Sequence, residues 1–175
     1  QHAKYIAGRE VPLIVAGDSA GGNLAAVMAI RARDRNGPSI ALQVLIYPVT
    51  DFKFDRPSYV DPENQLLLTR DGMIWFWDHY VPDASRRAEP DASPLQTKNL
   101  LGLPPAVILT AGHDVLRDEG EAYAAPLHGA GAAPKGRSLV PNVRPCSPRS
   151  TLILHCPAAA LTQPVPCPSH RHCSS

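Results

Sequence analysis

Cysteine is absent from the first 145 of the 175 residues, and carboxylates are absent from the last 54. The first absence excludes a disulfide-held core for most of the chain and fits a reducing, cytoplasmic setting. Long apolar runs are also missing. The longest, residues 41–49, is interrupted by Gln43 and falls far short of the roughly 18 residues that span a bilayer. No transmembrane segment is expected. A strong charge of one sign is lacking too, since the net charge is +1, which gives no global case for nucleic acid or an anionic membrane. No internal repeat is visible. The chain opens on Gln1 without a basic and apolar leader pattern, as a processed chain or an internal fragment would.

Apolar residues make up 44% of the sequence and charged residues 19%, enough for one buried core. The averages conceal a break near residue 124. Twelve Lys and Arg residues accompany all sixteen carboxylates up to Glu121, whereas the remainder holds five basic residues and none that is acidic. All four cysteines and nine of the 19 prolines lie in this second part. Such a composition is expected of a GC-rich gene read out of frame, or of a misassembled end. It predicts a core over 1–124, with an insertion at about 50–90, and an irregular tail over 125–175.

Within the core, Val11–Ala16 is a short apolar run ending at Gly17, the pattern of a buried parallel strand. Leu24–Arg33 follows with helix formers and is stopped by Asn36-Gly37-Pro38. Ala41–Tyr47 and Ala106–Ala111 read as two further buried strands, and strand-helix-strand order indicates an α/β class with a parallel sheet. Phe52–Leu68 reads as irregular. Thr69–Val81 reads as a helix capped by Thr69, with Met73, Trp77 and Tyr80 on one apolar stripe. Trp75, Phe76 and Trp77 either pack under a lid or line a substrate pocket. Past Glu121 a helix could continue from Ala122, but Pro126 should kink or end it, and only Thr151–Leu154 has the pattern of a strand.

Chemistry is concentrated in Gly17-Asp18-Ser19-Ala20-Gly21, a G-x-S-x-G between a strand and a helix. That context is what a nucleophile elbow needs: a turn sharp enough to lift the Ser19 hydroxyl above the sheet. Small residues at Gly17 and Gly21 admit the close backbone approach. The Ala20 amide would face a developing oxyanion, helped by the helix dipole. A serine needs a base held by a carboxylate. Asp114, just past the strand Ala106–Ala111, is placed to be that carboxylate or else an ordinary loop or cap aspartate. Asp118 and Glu119 belong on the first turn of a following helix.

The segment Gly17-Asp18-Ser19-Ala20-Gly21-Gly22-Asn23-Leu24-Ala25 resembles the nucleophile segment of the hormone-sensitive-lipase-like esterases, a branch of the α/β-hydrolase fold. Leu45-Ile46-Tyr47-Pro48, Asp91-Ala92-Ser93-Pro94-Leu95 and Leu103-Pro104-Pro105-Ala106 are similar to later landmarks of that family. So is Thr110-Ala111-Gly112-His113-Asp114-Val115-Leu116-Arg117-Asp118-Glu119-Gly120. The resemblance runs from about Tyr5 to Ala124. It implies a partial α/β-hydrolase fold, a mostly parallel sheet flanked by helices, with an irregular C-terminal tail. It further implies a carboxylic ester hydrolase in which Ser19 attacks short or medium acyl esters through an acyl-enzyme. Asp114 would be the acid of the triad. A small-molecule ester is the implied partner, and no metal or organic cofactor is implied. Phe54, Tyr59 and Trp75 would belong to the cap or its underside.

Two parts of the family pattern have no counterpart. No His-Gly-Gly-Gly segment precedes the first strand, so the upstream strands that would flank it are expected to be absent as well. No His-Gly-Phe-like turn follows Asp114, which leaves the catalytic base unknown. His113 adjoins Asp114 and should point elsewhere, and His128 should sit on a helix surface. His155, after the strand pattern Thr151–Leu154, is the least badly placed of the three, and the absence of any base in this chain is the leading alternative. A catalytically silent member that binds a small molecule, or an inactive fragment of the same fold, is the alternative reading. Cys167, His170, His172 and Cys173 crowd together but follow no zinc spacing, so no metal site is expected. The basic tail lacks interleaved aromatics, which argues against nucleic acid.

Overall fold

The apolar run before the elbow forms strand β1 (Leu13–Asp18), after a short helix α1 (Ala3–Ala7). Helix α2 (Ala20–Asp34) returns the chain to β2 (Ile40–Ile46). The insertion that follows carries α3 (Pro57–Val60) and α4 (Arg70–Tyr80) before β3 (Ala106–Ala111), α5 (Arg117–Gly129) and β4 (Thr151–Cys156). This is a computed structural model, and it describes residues 3–129 and 151–156. The four strands pair in parallel in the order β1-β2-β3-β4. All their C-terminal ends therefore lie along one edge, where loops of α/β proteins carry their chemistry.

The alanine-rich face of α2 explains its close seat on the sheet. Ala25, Ala26 and Ala29 are buried with Ile30 against Leu45, Ile108, Tyr123 and Leu127. Full burial of a side chain such as Leu45 or Leu127 contributes about 1.5–3 kcal/mol. A second cluster joins Val49, Tyr59, Met73, Trp77, Val115 and Leu116, and it seats the insertion on the start of α5. Thr69 caps α4 as its sequence requires, its hydroxyl accepting from Gly72 N–H at 3.1 Å.

Several expectations change. The first strand is not buried: Leu13 is 38% and Ile14 51% exposed, because β1 is the outermost strand among the described residues. The stripe on α4 holds for Met73 and Trp77 but not for Tyr80, which is exposed at the last turn and meets Trp77 edge-on. Trp75 and Phe76 also face outward, so only Trp77 packs as a core aromatic. Phe52–Leu68 is not wholly irregular, since α3 and a short 3₁₀ turn at Pro62–Asn64 occupy it. Pro126 does not end α5, which continues to Gly129. Tyr123, Ala124 and Leu127 are fully buried on both sides of it, and that burial offsets the one amide hydrogen bond the proline removes. The strand expected at Thr151–Leu154 forms as β4 and extends to Cys156. The rest of the tail, with Cys167, His170, His172 and Cys173, lies outside the described residues.

Candidate active site

Ser19 stands at the junction of β1 and α2 with φ 51° and ψ −118°, a region that L-residues enter only at a cost of about 1–3 kcal/mol. Its surroundings fix that conformation. Ser19 N–H donates to the Ile46 carbonyl at 2.9 Å, and the Ser19 carbonyl accepts from Asn23 N–H at 3.1 Å and Val49 N–H at 3.2 Å. The serine is half-buried and Ala20 is exposed. Ser19→Gly is expected to stabilise the chain by about 1 kcal/mol, since glycine adopts this geometry without strain. A urea midpoint that falls instead would show that the hydroxyl contributes more than the strain costs.

The close approach that the glycines permit is confirmed at one expected position and moved at the other. A β-carbon on Gly17 would run into the Gly21 carbonyl and lie 2.9 Å from Gly22 N. Gly21 itself has room, with nothing nearer than an Asp18 carboxylate oxygen at 3.8 Å. The second crowded position is Gly22, where a β-carbon would come within 2.8 Å of the Pro48 side chain. Pro48 ends the strand next door, a contact invisible from local sequence.

Asp114 follows β3 on the same sheet edge and is half-buried. Its Oδ1 accepts from Leu116 N–H at 3.0 Å. Burial raises its pKa above the ordinary aspartate value, against the opposing pull of the Leu116 amide and Arg117. Two strand spacings separate the ends of β1 and β3, roughly 10 Å.

The histidines divide. His113 is exposed beside Asp114. His128 is not the exposed helix-surface residue its position suggests: it is half-buried, and its Nε2 is buried without a partner. Leu127 beside it is fully buried, so this turn of α5 sits deep in the packing. His155 occupies the penultimate register position of β4, opposite Thr110, close to the edge that carries Ser19 and Asp114. Among the described residues no group of three or more His, Cys, Asp or Glu side chains could hold a metal, and no helix is long and apolar enough to cross a membrane.

Sequence reasoning missed how Glu119 is used. It lies on the first turn of α5 as expected, but its side chain is fully buried. Thr50 N–H donates to its Oε1 at 2.7 Å and the Tyr59 hydroxyl to its Oε2 at 3.0 Å. Burial pushes its pKa up to about 8, against those hydrogen bonds. The signal was available: Glu119, Tyr123 and Leu127 recur every four residues, which puts a carboxyl group on the apolar stripe of α5. Tyr59, expected at the cap or its underside, is fully buried in this contact, while Phe54 is half-buried beside it with ring centroids 5.6 Å apart.

Comparison with known proteins identifies the fold. A family profile described as the alpha/beta hydrolase fold matches residues 1–138. The carboxylic ester hydrolase LipN of Mycobacterium tuberculosis is 48% identical over 124 residues, which cover 68% of this chain and 33% of the relative. Carboxylesterase NlhH of the same species is 40% identical over 136 residues, covering 76% and 43%. Among solved structures, an esterase from Rhizomucor miehei superposes with a TM-score of 0.73 at 40% identity, covering 89% of this chain and 44% of that one. The chain thus spans between a third and just under half of the length of these relatives. From the parallel sheet, the strained serine between β1 and α2 and a matched profile over most of its residues, the chain belongs to the α/β-hydrolase fold family.

Proposed function

We propose that this chain carries the nucleophile and acid of a carboxylic ester hydrolase. The observation that carries the reading is the strained Ser19 at the strand-helix junction, on the same sheet edge as Asp114. Ser19 Oγ attacks the ester carbonyl, the alcohol leaves, and water then cleaves the acyl-enzyme. The Ala20 amide, at the N-terminus of α2, donates to the oxyanion of each tetrahedral intermediate. Asp114 orients the imidazole of a base lying between itself and Ser19. His155 is the histidine to test: it stands at the same sheet edge, on β4, the far side of β3 from Ser19, so the test asks whether it reaches the serine at all. Short and medium acyl esters are the substrate class, consistent with relatives named as carboxylic ester hydrolase and carboxylesterase.

The test is hydrolysis of p-nitrophenyl butyrate by the 175-residue chain, by Ser19→Ala and by His155→Ala. Loss of the serine hydroxyl is expected to lower the rate at least about 10³-fold, to that of buffer. Equal rates in the chain and in Ser19→Ala would overturn the reading. Saturable binding of the ester without turnover would then favour the silent binding scaffold.

A further inference from the structure

Glu119 is a buried carboxyl group that the reaction above does not use. Its partners come from separate parts of the chain: Thr50 after β2, Tyr59 on α3, and its own helix just behind Asp114. A second bond runs the other way, from the Thr50 hydroxyl to the Glu119 carbonyl at 2.8 Å. The residue before Thr50 braces the elbow, since Val49 N–H donates to the Ser19 carbonyl and the Val49 carbonyl accepts from Asn23 Nδ2 at 2.9 Å. One short segment therefore touches Ser19 at one end and the helix behind Asp114 at the other.

We propose that Glu119 is a positioning residue that fastens the Asp114-bearing turn to the Val49–Asp51 segment and so sets the spacing between Asp114 and Ser19. The proposal rests on the reading of Ser19 and Asp114 as nucleophile and acid. Ser58 supports the same turn, its hydroxyl donating to the Val115 carbonyl at 2.7 Å. Asp118 accepts from Ser58 N–H at 2.7 Å, so the turn is held from the α3 side as well.

The titratable groups acting on Glu119 are Asp51, which Arg56 pairs, and Tyr59 from α3, while Asp114 acts on Tyr59. Asp51 is itself fully buried and satisfied, by Arg56 at 2.8 Å, Gln96 at 2.8 Å and Phe52 N–H at 3.0 Å. Burial, with a smaller contribution from Asp51, keeps Glu119 a neutral acid at neutral pH. Its folded pKa lies above the unfolded value of 4.5, so the native state keeps a proton that the unfolded chain releases. Stability from this group is therefore full at low pH, falls as pH rises from about 4.5 to about 8, and is flat beyond.

Amide hydrogen exchange on the ¹⁵N-labelled full chain tests the proposal, because Leu116 N–H donates to Asp114 and reports its position. Glu119→Ala is expected to lower Leu116 protection at least about tenfold more than that of β2 amides. Glu119→Gln, which keeps an acceptor for Thr50, is expected to restore it. Leu127→Ala, on the same helix, is expected to weaken core amides together and not Leu116 selectively. Uniform loss in Glu119→Ala, or no rescue by glutamine, would overturn the proposal. Should the alanine variant not fold, thermal melting decides. Between pH 5 and 8 the wild-type Tm should fall more steeply than that of Glu119→Gln, and parallel curves would refute the role. None of these readouts needs turnover, so an inactive Ser19 would overturn the proposed function and leave this result standing.

Discussion

Gly17→Ala is expected to destabilise the chain by about 4 kcal/mol or more, enough to leave much of it unfolded at 25 °C. The added methyl runs into the peptide group between Gly21 and Gly22, which cannot rotate away as a side chain would. The first turn of α2 cannot back off either, since Gly22 already lies against Pro48. Gly21→Ala is the matched control: its β-carbon would find only an Asp18 oxygen at 3.8 Å, and its cost should stay within about 1 kcal/mol. Urea denaturation followed by circular dichroism measures both. Equal, small effects would mean that the first turn of α2 relaxes freely, and the crowding argument would fail.

The second large effect belongs to Asn23. Its Nδ2 donates to the Val49 carbonyl at 2.9 Å and to the Ala92 carbonyl at 2.8 Å, all within buried surroundings. Asn23→Ala leaves two carbonyls dry and unpartnered, at about 1–3 kcal/mol each. Asn23→Asp should cost more, because a carboxylate would face two carbonyl oxygens with no donor to offer. The urea midpoint should fall in that order at an unchanged slope. By contrast the Arg31–Asp91 pair, 2.7 Å long and two-fifths exposed on each side, should contribute less than about 1 kcal/mol. If losing that surface pair cost as much as Asn23→Ala, burial would not be what separates the two.

These two sites differ in how far they could be read from sequence. Gly17 was flagged by the G-x-S-x-G pattern alone, because a strand-to-helix turn of that length constrains its own glycines. Asn23 appeared only as one letter of a family resemblance, since both of its acceptors lie in later segments. The same division runs through the fold. Ala106–Ala111 forms the strand its apolar run predicts, to the residue, and Thr69 caps the helix that its sequence starts. Both are local: a strand follows from a short β-branched and apolar run between breakers, and a cap needs only an amide three residues on.

What the sequence by itself determined is the type and order of the strands and of the longer helices, the strand-helix turn at Ser19 and the position of Asp114 after the third strand. Period, punctuation and turn chemistry act over a few residues, and those residues are adjacent in the chain. Tertiary structure decided the rest. It put β1 at an edge and left Ile14 half in water, carried α5 through Pro126, crowded Gly22 rather than Gly21, and buried Glu119 against Thr50, 69 residues away. In each case the outcome depended on which distant segment came to lie alongside, because burial and hydrogen-bond partnership are properties of packed neighbours and not of a residue's own type.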